Sequence, residues 1–344
     1  MGSVVEEQPF KGMSVAPKLD ELVTAAFKRA AKSSVKKHGK GVKDLRKIYE
    51  KKIRIIRDYT VKRLQDICFT TPKITELHPF YREWVKLIVD VDELRRELGH
   101  LYTVSKLVNK IAGQELRRLR STSRPSEARR VYKSFVGRFF SLMKTIEETL
   151  LNVREKQLKL VKIQSINPLK PTVVIAGPPN VGKSSLVRAL SKAKPEVREY
   201  PFTTKELTIG HIKLNNHIVQ VIDTPGLLDR PLEERNPIEL KAILALKHLA
   251  SIIVFVLDPT ETCGFPLEYQ LHVLDDVLKN FKNIPIIVAL NKNDIVDKNQ
   301  LKKFLEHLSK RSIVDAAKIS ALKREGIDVL MDKIMKNLHL GAIS

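Results

Sequence analysis

Thr172-Val173-Val174-Ile175-Ala176-Gly177-Pro178-Pro179-Asn180-Val181-Gly182-Lys183-Ser184 decides the fold. Five apolar, mostly β-branched residues read as a buried strand. The next eight fit G-x-x-x-x-G-K-[ST], placed after a strand and opening a helix. Glycines let the backbone wrap an anion, and the N–H groups with the positive end of the helix hold it. In such a loop Lys183 reaches the β- and γ-phosphates, and the Ser184 hydroxyl ligates Mg²⁺. The loop specifies a nucleoside triphosphate without saying which one.

Toward the C-terminus, strand-like runs at 172–176, 207–214, 217–223, 251–257, 285–290 and 316–320 alternate with helical runs. The helical runs lie near 182–192, 237–249, 267–281, 300–309 and 326–338. This alternation predicts an α/β domain with a mainly parallel sheet covered by helices on both faces. Asp223-Thr224-Pro225-Gly226 closes the third run, 39 residues beyond Ser184. A carboxylate there faces the metal position, and Gly226 can pivot toward a γ-phosphate. Asn291-Lys292-Asn293-Asp294 follows the fifth run. Asp294 can accept the N1–H and N2–H₂ donors of guanine; adenine lacks that arrangement and would leave the carboxylate unpaired. Lys292 can cover one face of the base. Ser320-Ala321, small residues closing the last run, let a backbone N–H approach the guanine O6.

Toward the N-terminus strand signal almost vanishes. Apolar residues recur at helical spacing over 18–32 and 42–69, and the second stretch stops at Thr71-Pro72 because a residue before proline is pushed out of the helical region. A third stretch runs from Pro79 to about 119, with an expected break near Gly99, and a fourth from Pro125 to about 163. Long amphipathic helices with short connections predict an antiparallel bundle. Asn167-Pro168-Leu169-Lys170-Pro171 reads as a linker. The expected organisation is a basic all-α domain over 1–166, a linker over 167–171 and a P-loop domain over 172–344.

The chain has 344 residues, enough for two domains, and is 43% hydrophobic, which excludes a disordered chain. No apolar run approaches the roughly 20 residues of a membrane helix, and the start MGSVVEEQPF lacks the basic-then-apolar pattern of a secretory signal. Two distant cysteines, Cys68 and Cys263, support neither a disulfide framework nor a four-ligand zinc site. Net charge is +23. Residues 1–170 hold 38 basic and 19 acidic side chains, against 24 and 20 in 171–344, a split of +19 to +4. Such a basic half predicts a polyanionic partner.

The motifs stand in the order and spacing of Ras-like GTPases. Tyr200-Pro201-Phe202-Thr203-Thr204-Lys205-Glu206 resembles the first switch of the Obg-related GTPases. Asp223-Thr-Pro-Gly-Leu-Leu-Asp-Arg-Pro-Leu-Glu-Glu-Arg-Asn-Pro-Ile-Glu239 resembles the second switch of the Nog family, the nucleolar G proteins and their archaeal counterparts. The resemblance is specific over 173–294 and architectural over 1–170. It implies a GTP- and GDP-binding hydrolase with a Ras-like fold. Gly177, Asn180, Val181, Gly182, Lys183, Ser184, Ser185, Asp223, Asn291, Lys292, Asp294, Ser320 and Ala321 would line the nucleotide, and Lys183, Thr204 and Gly226 would act in hydrolysis. Mg²⁺ would fall to Ser184, Thr204 and, through water, Asp223. Asn180 resembles an asparagine that ligates K⁺ in cation-dependent relatives, although a structural loop role accounts for it equally.

The resemblance further implies large-ribosomal-subunit assembly, with ribosomal RNA or a pre-ribosomal particle as partner and no membrane. It implies a monomer off the ribosome and a cytoplasmic, ribosome-associated location, nucleolar only in a eukaryotic source. Ending soon after the last helix matches the short archaeal type. Two other readings stay open on sequence: a GTP-ordered RNA scaffold without catalysis, and a GTPase acting on translation or tRNA.

Leu227 stands where Ras-like enzymes place a water-orienting glutamine, so slow intrinsic hydrolysis is expected. Arg230 and Arg235 are candidate charge donors, or simply partners of Glu233 and Glu234. Arg117, Arg118, Arg120, Arg124, Arg129 and Arg130 are the expected RNA contacts, because only Glu127 is acidic between them. Phe80, Tyr81 and Trp84 could stack bases, although core packing in the bundle is the plainer reading.

Overall fold

The computed structural model describes residues 9–33, 41–163, 166–191, 196–199, 206–214, 217–223, 226–311, 313 and 316–338. These fall into two compact units.

The first comprises residues 9–76 and 88–163 and is all-helical. Its helices are α1 (Leu19–Lys32), α2 (Val42–Thr70), α4 (Val91–Arg120), α5 (Pro125–Lys144) and α6 (Glu147–Val161). Ile53, Ile56, Thr60, Leu64 and Ile67 form the buried stripe of α2, which packs on α1, α4 and α5. The expected break at Gly99 does not occur. A mid-helix glycine costs only about 1 kcal/mol, whereas buried Leu94, Leu101, Val104 and Val108 each contribute about 2 kcal/mol. The break falls at Asp90, whose carboxylate accepts from the Glu93 N–H at 2.8 Å and caps α4. The stretch beginning at Pro125 is also two helices. It divides at Thr145-Ile146, where the Thr145 hydroxyl donates to the Leu142 carbonyl and Ile146 is fully buried. No glycine or proline announces that turn.

The second unit holds residues 166–338 together with 77–87. Helix α3 (Pro79–Ile88) therefore lies, but for its last residue, with the sheet-bearing part of the chain rather than with the bundle. Phe80, Tyr81, Trp84 and Val85 are buried, and the Tyr81 hydroxyl donates to the Ile166 carbonyl at 2.7 Å. Burial makes these aromatics core residues rather than a stacking platform. The proline-rich 167–171 segment is anchored too: Gln220 donates to the Asn167 carbonyl and accepts from its N–H.

The unit's sheet contains β1 (Thr172–Ala176), β2 (Glu196–Glu199), β3 (Glu206–Leu214), β4 (His217–Asp223), β5 (Ile252–Leu257), β6 (Ile286–Leu290) and β7 (Ala317–Lys318). Its order is β2-β3-β4-β1-β5-β6-β7. The β2–β3 and β3–β4 pairs are antiparallel and the others parallel. Strand β2, Glu-Val-Arg-Glu, carries no apolar run and escapes a sequence reading, and β7 is shorter than the predicted 316–320. Helices α7 (Lys183–Leu190), α8 (Pro237–Lys247), α9 (Leu267–Asn280), α10 (Lys298–Ser309) and α11 (Ile327–Asn337) complete the unit. All residues of β1 and β5 are buried, as strands covered on both faces require. β1 lies between β4 and β5, so the strand order reverses there. In open α/β sheets ligands bind outside the carboxyl ends of the strands at such a point.

Candidate nucleotide site

The four sequence motifs meet at this edge. The loop after β1 begins at Gly177 (φ +134°), whose N–H donates to the Leu228 carbonyl at 2.9 Å. A Cβ on Gly177 would strike the Val256 carbonyl oxygen, and one on Gly182 (φ +98°) would strike the Asn291 amide, so only glycine fits either position. Asn180 is exposed and left-handed (φ +62°). The first helical bond of α7 runs from the Leu186 N–H to Gly182, so the N–H groups of Lys183, Ser184 and Ser185 precede it and face the loop. Lys183 is buried, its ammonium donating to the carbonyls of Gly177 at 2.9 Å and Pro178 at 2.7 Å.

The Ser184 hydroxyl donates to Asp223 Oδ2 at 2.6 Å, which joins the start of α7 to the end of β4. Asp223 is fully buried. No group of three or more His, Cys, Asp or Glu side chains placed to hold a metal ion exists among the described residues. One hydroxyl and one carboxylate suit Mg²⁺, which takes one or two protein carboxylates and completes its shell with phosphate and water. The loop and this oxygen pair thus fit a magnesium-bound triphosphate. Thr204, expected as the third metal ligand, lies outside the described residues.

Asn291 links the phosphate loop to the base side of the site. Its side-chain amide donates to the Val181 carbonyl at 2.8 Å and its Oδ1 accepts from the Ala321 N–H at 2.9 Å. Ser320 is pinned by reciprocal backbone bonds with Glu325. Asp294 receives Lys323 at 3.4 Å, and the Ser320 hydroxyl holds its carboxyl below the usual carboxylate range. The Asp294 carboxylate is the kind of acceptor pair that a guanine edge requires.

Sequence reasoning missed Asp258, at the end of β5. It is fully buried and accepts from Lys292 Nζ at 2.6 Å, from the Thr260 and Thr262 hydroxyls, and from the Cys263 N–H. Burial raises its pKa, but Lys292 and Thr260 outweigh that and hold it below the ordinary value. Lys292 is left-handed (φ +59°), so this ion pair fixes a side chain on a backbone that favours glycine. Asp258 directly follows β5, the neighbour of β1 on one side, as Asp223 ends β4, its neighbour on the other, a relation that only the strand order reveals.

Past Asp223, Gly226 has φ +78°, and its carbonyl accepts from Arg235. Arg235 also donates to Asp229 at 2.9 Å and to the Arg230 carbonyl at 3.0 Å. Arg230 donates to both carboxylate oxygens of Glu239. The partners expected from sequence, Glu233 and Glu234, are not those of either arginine. Leu227 is buried and apolar, so no hydrogen-bonding side chain occupies that position.

In the helical unit all six candidate RNA arginines are exposed. Two are not free. Arg118 pairs with fully buried Glu115, and Arg120 pairs with Glu50 of α2 at 3.3 Å. Counting acids only between 117 and 130 overlooked partners one turn earlier and on another helix. Arg124 and Arg130 lie near Glu127, whose carboxyl is held low chiefly by the backbone N–H groups of Ser123 and Arg124. Among the described residues Arg117 and Arg129 make no ion pair.

Two family models match the chain in turn: the NOG1 N-terminal helical domain over residues 10–167 and a 50S ribosome-binding GTPase over 172–292. An uncharacterised protein of Methanocaldococcus jannaschii is 40% identical over 300 residues, 86% of this chain and 84% of that one. Nucleolar GTP-binding protein 1 of Caenorhabditis elegans is 31% identical over 335 residues, 96% of this chain but 49% of that one. A crystal structure of a nucleolar GTP-binding protein 1 from Plasmodium falciparum matches 52% of this chain and 90% of that one, at 31% identity and a TM-score of 0.45. The chain spans about half the length of the named eukaryotic relative it matches. With the two family models covering 10–167 and 172–292 and the archaeal relative covered over most of its length, the chain belongs to the Nog family of GTPase-domain proteins.

Proposed function

We propose that this chain binds GTP and GDP with Mg²⁺, hydrolyses GTP slowly, and acts in assembly of the large ribosomal subunit through contact of its basic helical domain with ribosomal RNA. The observation that carries the nucleotide assignment is Asn291, whose one side chain bonds both Val181 of the phosphate loop and Ala321 of the base loop. Phosphate and base pockets are thereby held at one spacing.

In this reading the residues take the following roles. The N–H groups at the start of α7 bind phosphate oxygens, and Lys183 exchanges its carbonyl partners for the β- and γ-phosphates. Ser184, Thr204 and, through water, Asp223 would hold Mg²⁺, which would supply charge neutralisation at the phosphates. Asp294 selects guanine, and Lys292, fixed by Asp258, covers the base. Asn180 ligates K⁺, supplying positive charge that Leu227 cannot. The ribosomal assignment draws on the family match over 172–292 and on the +19 charge of residues 1–170. The protein is monomeric off the ribosome and ribosome-associated in the cell.

Three measurements test this. Purified protein should bind GTP far more tightly than ATP and turn it over slowly, faster in K⁺ than in Na⁺. Crosslinking in cells should recover large-subunit ribosomal RNA. Equal affinity for ATP would overturn the guanine assignment, equal rates in the two salts the role of Asn180, and recovery of tRNA the ribosomal one.

A further inference from the structure

Arg235 is a buried arginine with an unusual set of partners. Its side chain is fully shielded from solvent and its guanidinium reaches three acceptors: the Gly226 carbonyl, Asp229 Oδ1 and the Arg230 carbonyl. All three lie within the segment that follows Asp223. Burying a guanidinium is costly unless it is paired and hydrogen-bonded. Asp229 supplies the pairing, so the charge is tolerated. The bond to Gly226 is therefore not what keeps the guanidinium buried; it fixes a peptide. Gly226 is left-handed, and a glycine peptide rotates easily because no Cβ restricts it. One side of that residue is its N–H, the group that turns toward a γ-phosphate in the reading above. The other side is the carbonyl that Arg235 grips.

The same segment is braced elsewhere. Arg230 bonds Glu239 of α8, and the Leu232 N–H donates to Asp276 of α9 at 2.9 Å. Arg235 is thus fixed to a braced frame and holds a soft peptide against it. Its Nε has no hydrogen-bond partner among the described residues, so a further buried donor remains for a shifted acceptor.

We propose that Arg235 is a positioning residue that sets the orientation of Gly226, and through it the discrimination between GTP and GDP. Holding the Gly226 carbonyl fixes the Gly226–Leu227 peptide, and with it one of the two backbone rotations that direct the Gly226 N–H, so part of the ordering cost of meeting a γ-phosphate is met before nucleotide arrives. GDP has no γ-phosphate and gains nothing from this. The inference rests on the guanine-nucleotide reading and assigns the residue that tunes it.

The test is a pair of affinities measured on the full chain with a fluorescent non-hydrolysable GTP analogue and with fluorescent GDP. Arg235→Ala should weaken the analogue about tenfold, as expected for loss of a hydrogen bond to a charged group, and change GDP less than about twofold. Arg235→Lys, which keeps the buried charge beside Asp229 but not the planar fork, should fall between, and it carries the comparison if the alanine variant does not fold. Thermal melting with GDP bound reports folding separately. Equal loss for both nucleotides would show Arg235 to be structural only, and unchanged affinities for both would show it to be idle; either result overturns the proposal. If wild-type protein bound neither nucleotide, the guanine reading itself would fail instead.

Discussion

The two units present their positive groups in opposite ways. The sheet unit, in the part of the chain with a net charge of only +4, presents backbone N–H groups, two conformationally obligatory glycines and buried, mutually bonded side chains. The helical unit lies in the part carrying +19 and presents exposed guanidiniums on long flexible stems. The first arrangement recognises one ligand by geometry. The second attracts any polyanion by field, with strength set by ionic strength. Scarce, paired charge thus suits specificity, and abundant, solvated charge suits long-range attraction.

The sharpest way to break this comparison is at Asp294. Asp294→Asn should cost about 3 kcal/mol of guanine nucleotide affinity, since a buried donor–acceptor pattern is inverted, and should admit xanthine nucleotides. Competition binding measures both. Retained GTP affinity would mean that the base is not read at Asp294.

A smaller effect is expected on the helical unit, and the structure determines which residues to change. Arg118 and Arg120 belong to ion pairs with Glu115 and Glu50, so reversing them would disturb packing as well as binding. Arg117, Arg129 and Arg130 are exposed and better suited. Replacing these three with Glu should weaken ribosomal RNA binding and flatten the plot of log affinity against log salt by about 2, at roughly 0.7 per lost phosphate contact. GTP affinity of the same protein should not change. An unaltered salt slope would place the RNA contacts elsewhere.

The smallest effect is the response to acid. Asp294 and Asp258 both have carboxyls held below their ordinary values, by the Ser320 hydroxyl and, against burial, by Lys292 and Thr260. A depressed carboxylate adds stability above its unfolded pKa of about 3.9, and loses it as pH falls through the lower folded value. GDP affinity, followed by fluorescence, should therefore stay level from pH 7 to about 5, well above that titration. A loss centred in that interval would point to a histidine rather than to these aspartates.

Much of the site is legible from residues alone. Gly177 and Gly182 occupy the short turn between β1 and α7, Lys183 and Ser184 open α7, and Asp223 and Asn291 end or follow a strand, positions where residue type nearly dictates geometry. Their convergence follows from parallel strands, which bring every carboxyl end to one edge. Asp258 was illegible because its partner, Lys292, is distant in sequence and only the β5–β6 pairing brings them together. The same holds for Glu115 with Arg138 and for Glu50 with Arg120. Local counting of charges cannot find such pairs.

By itself the sequence determined the change from a helical region to alternating strands and helices, the phosphate loop, Asp294 as the candidate guanine reader and the charge asymmetry, because each depends on a few adjacent residues or on composition. Tertiary structure alone decided the placement of α3, the break at Asp90 rather than Gly99, the partners of Arg230 and Arg235, and which arginines are free to meet a polyanion. Those outcomes depend on burial and pairing between segments far apart in the chain. There, about 2 kcal/mol per buried aliphatic side chain outweighs the fraction of a kcal/mol by which local propensities usually differ.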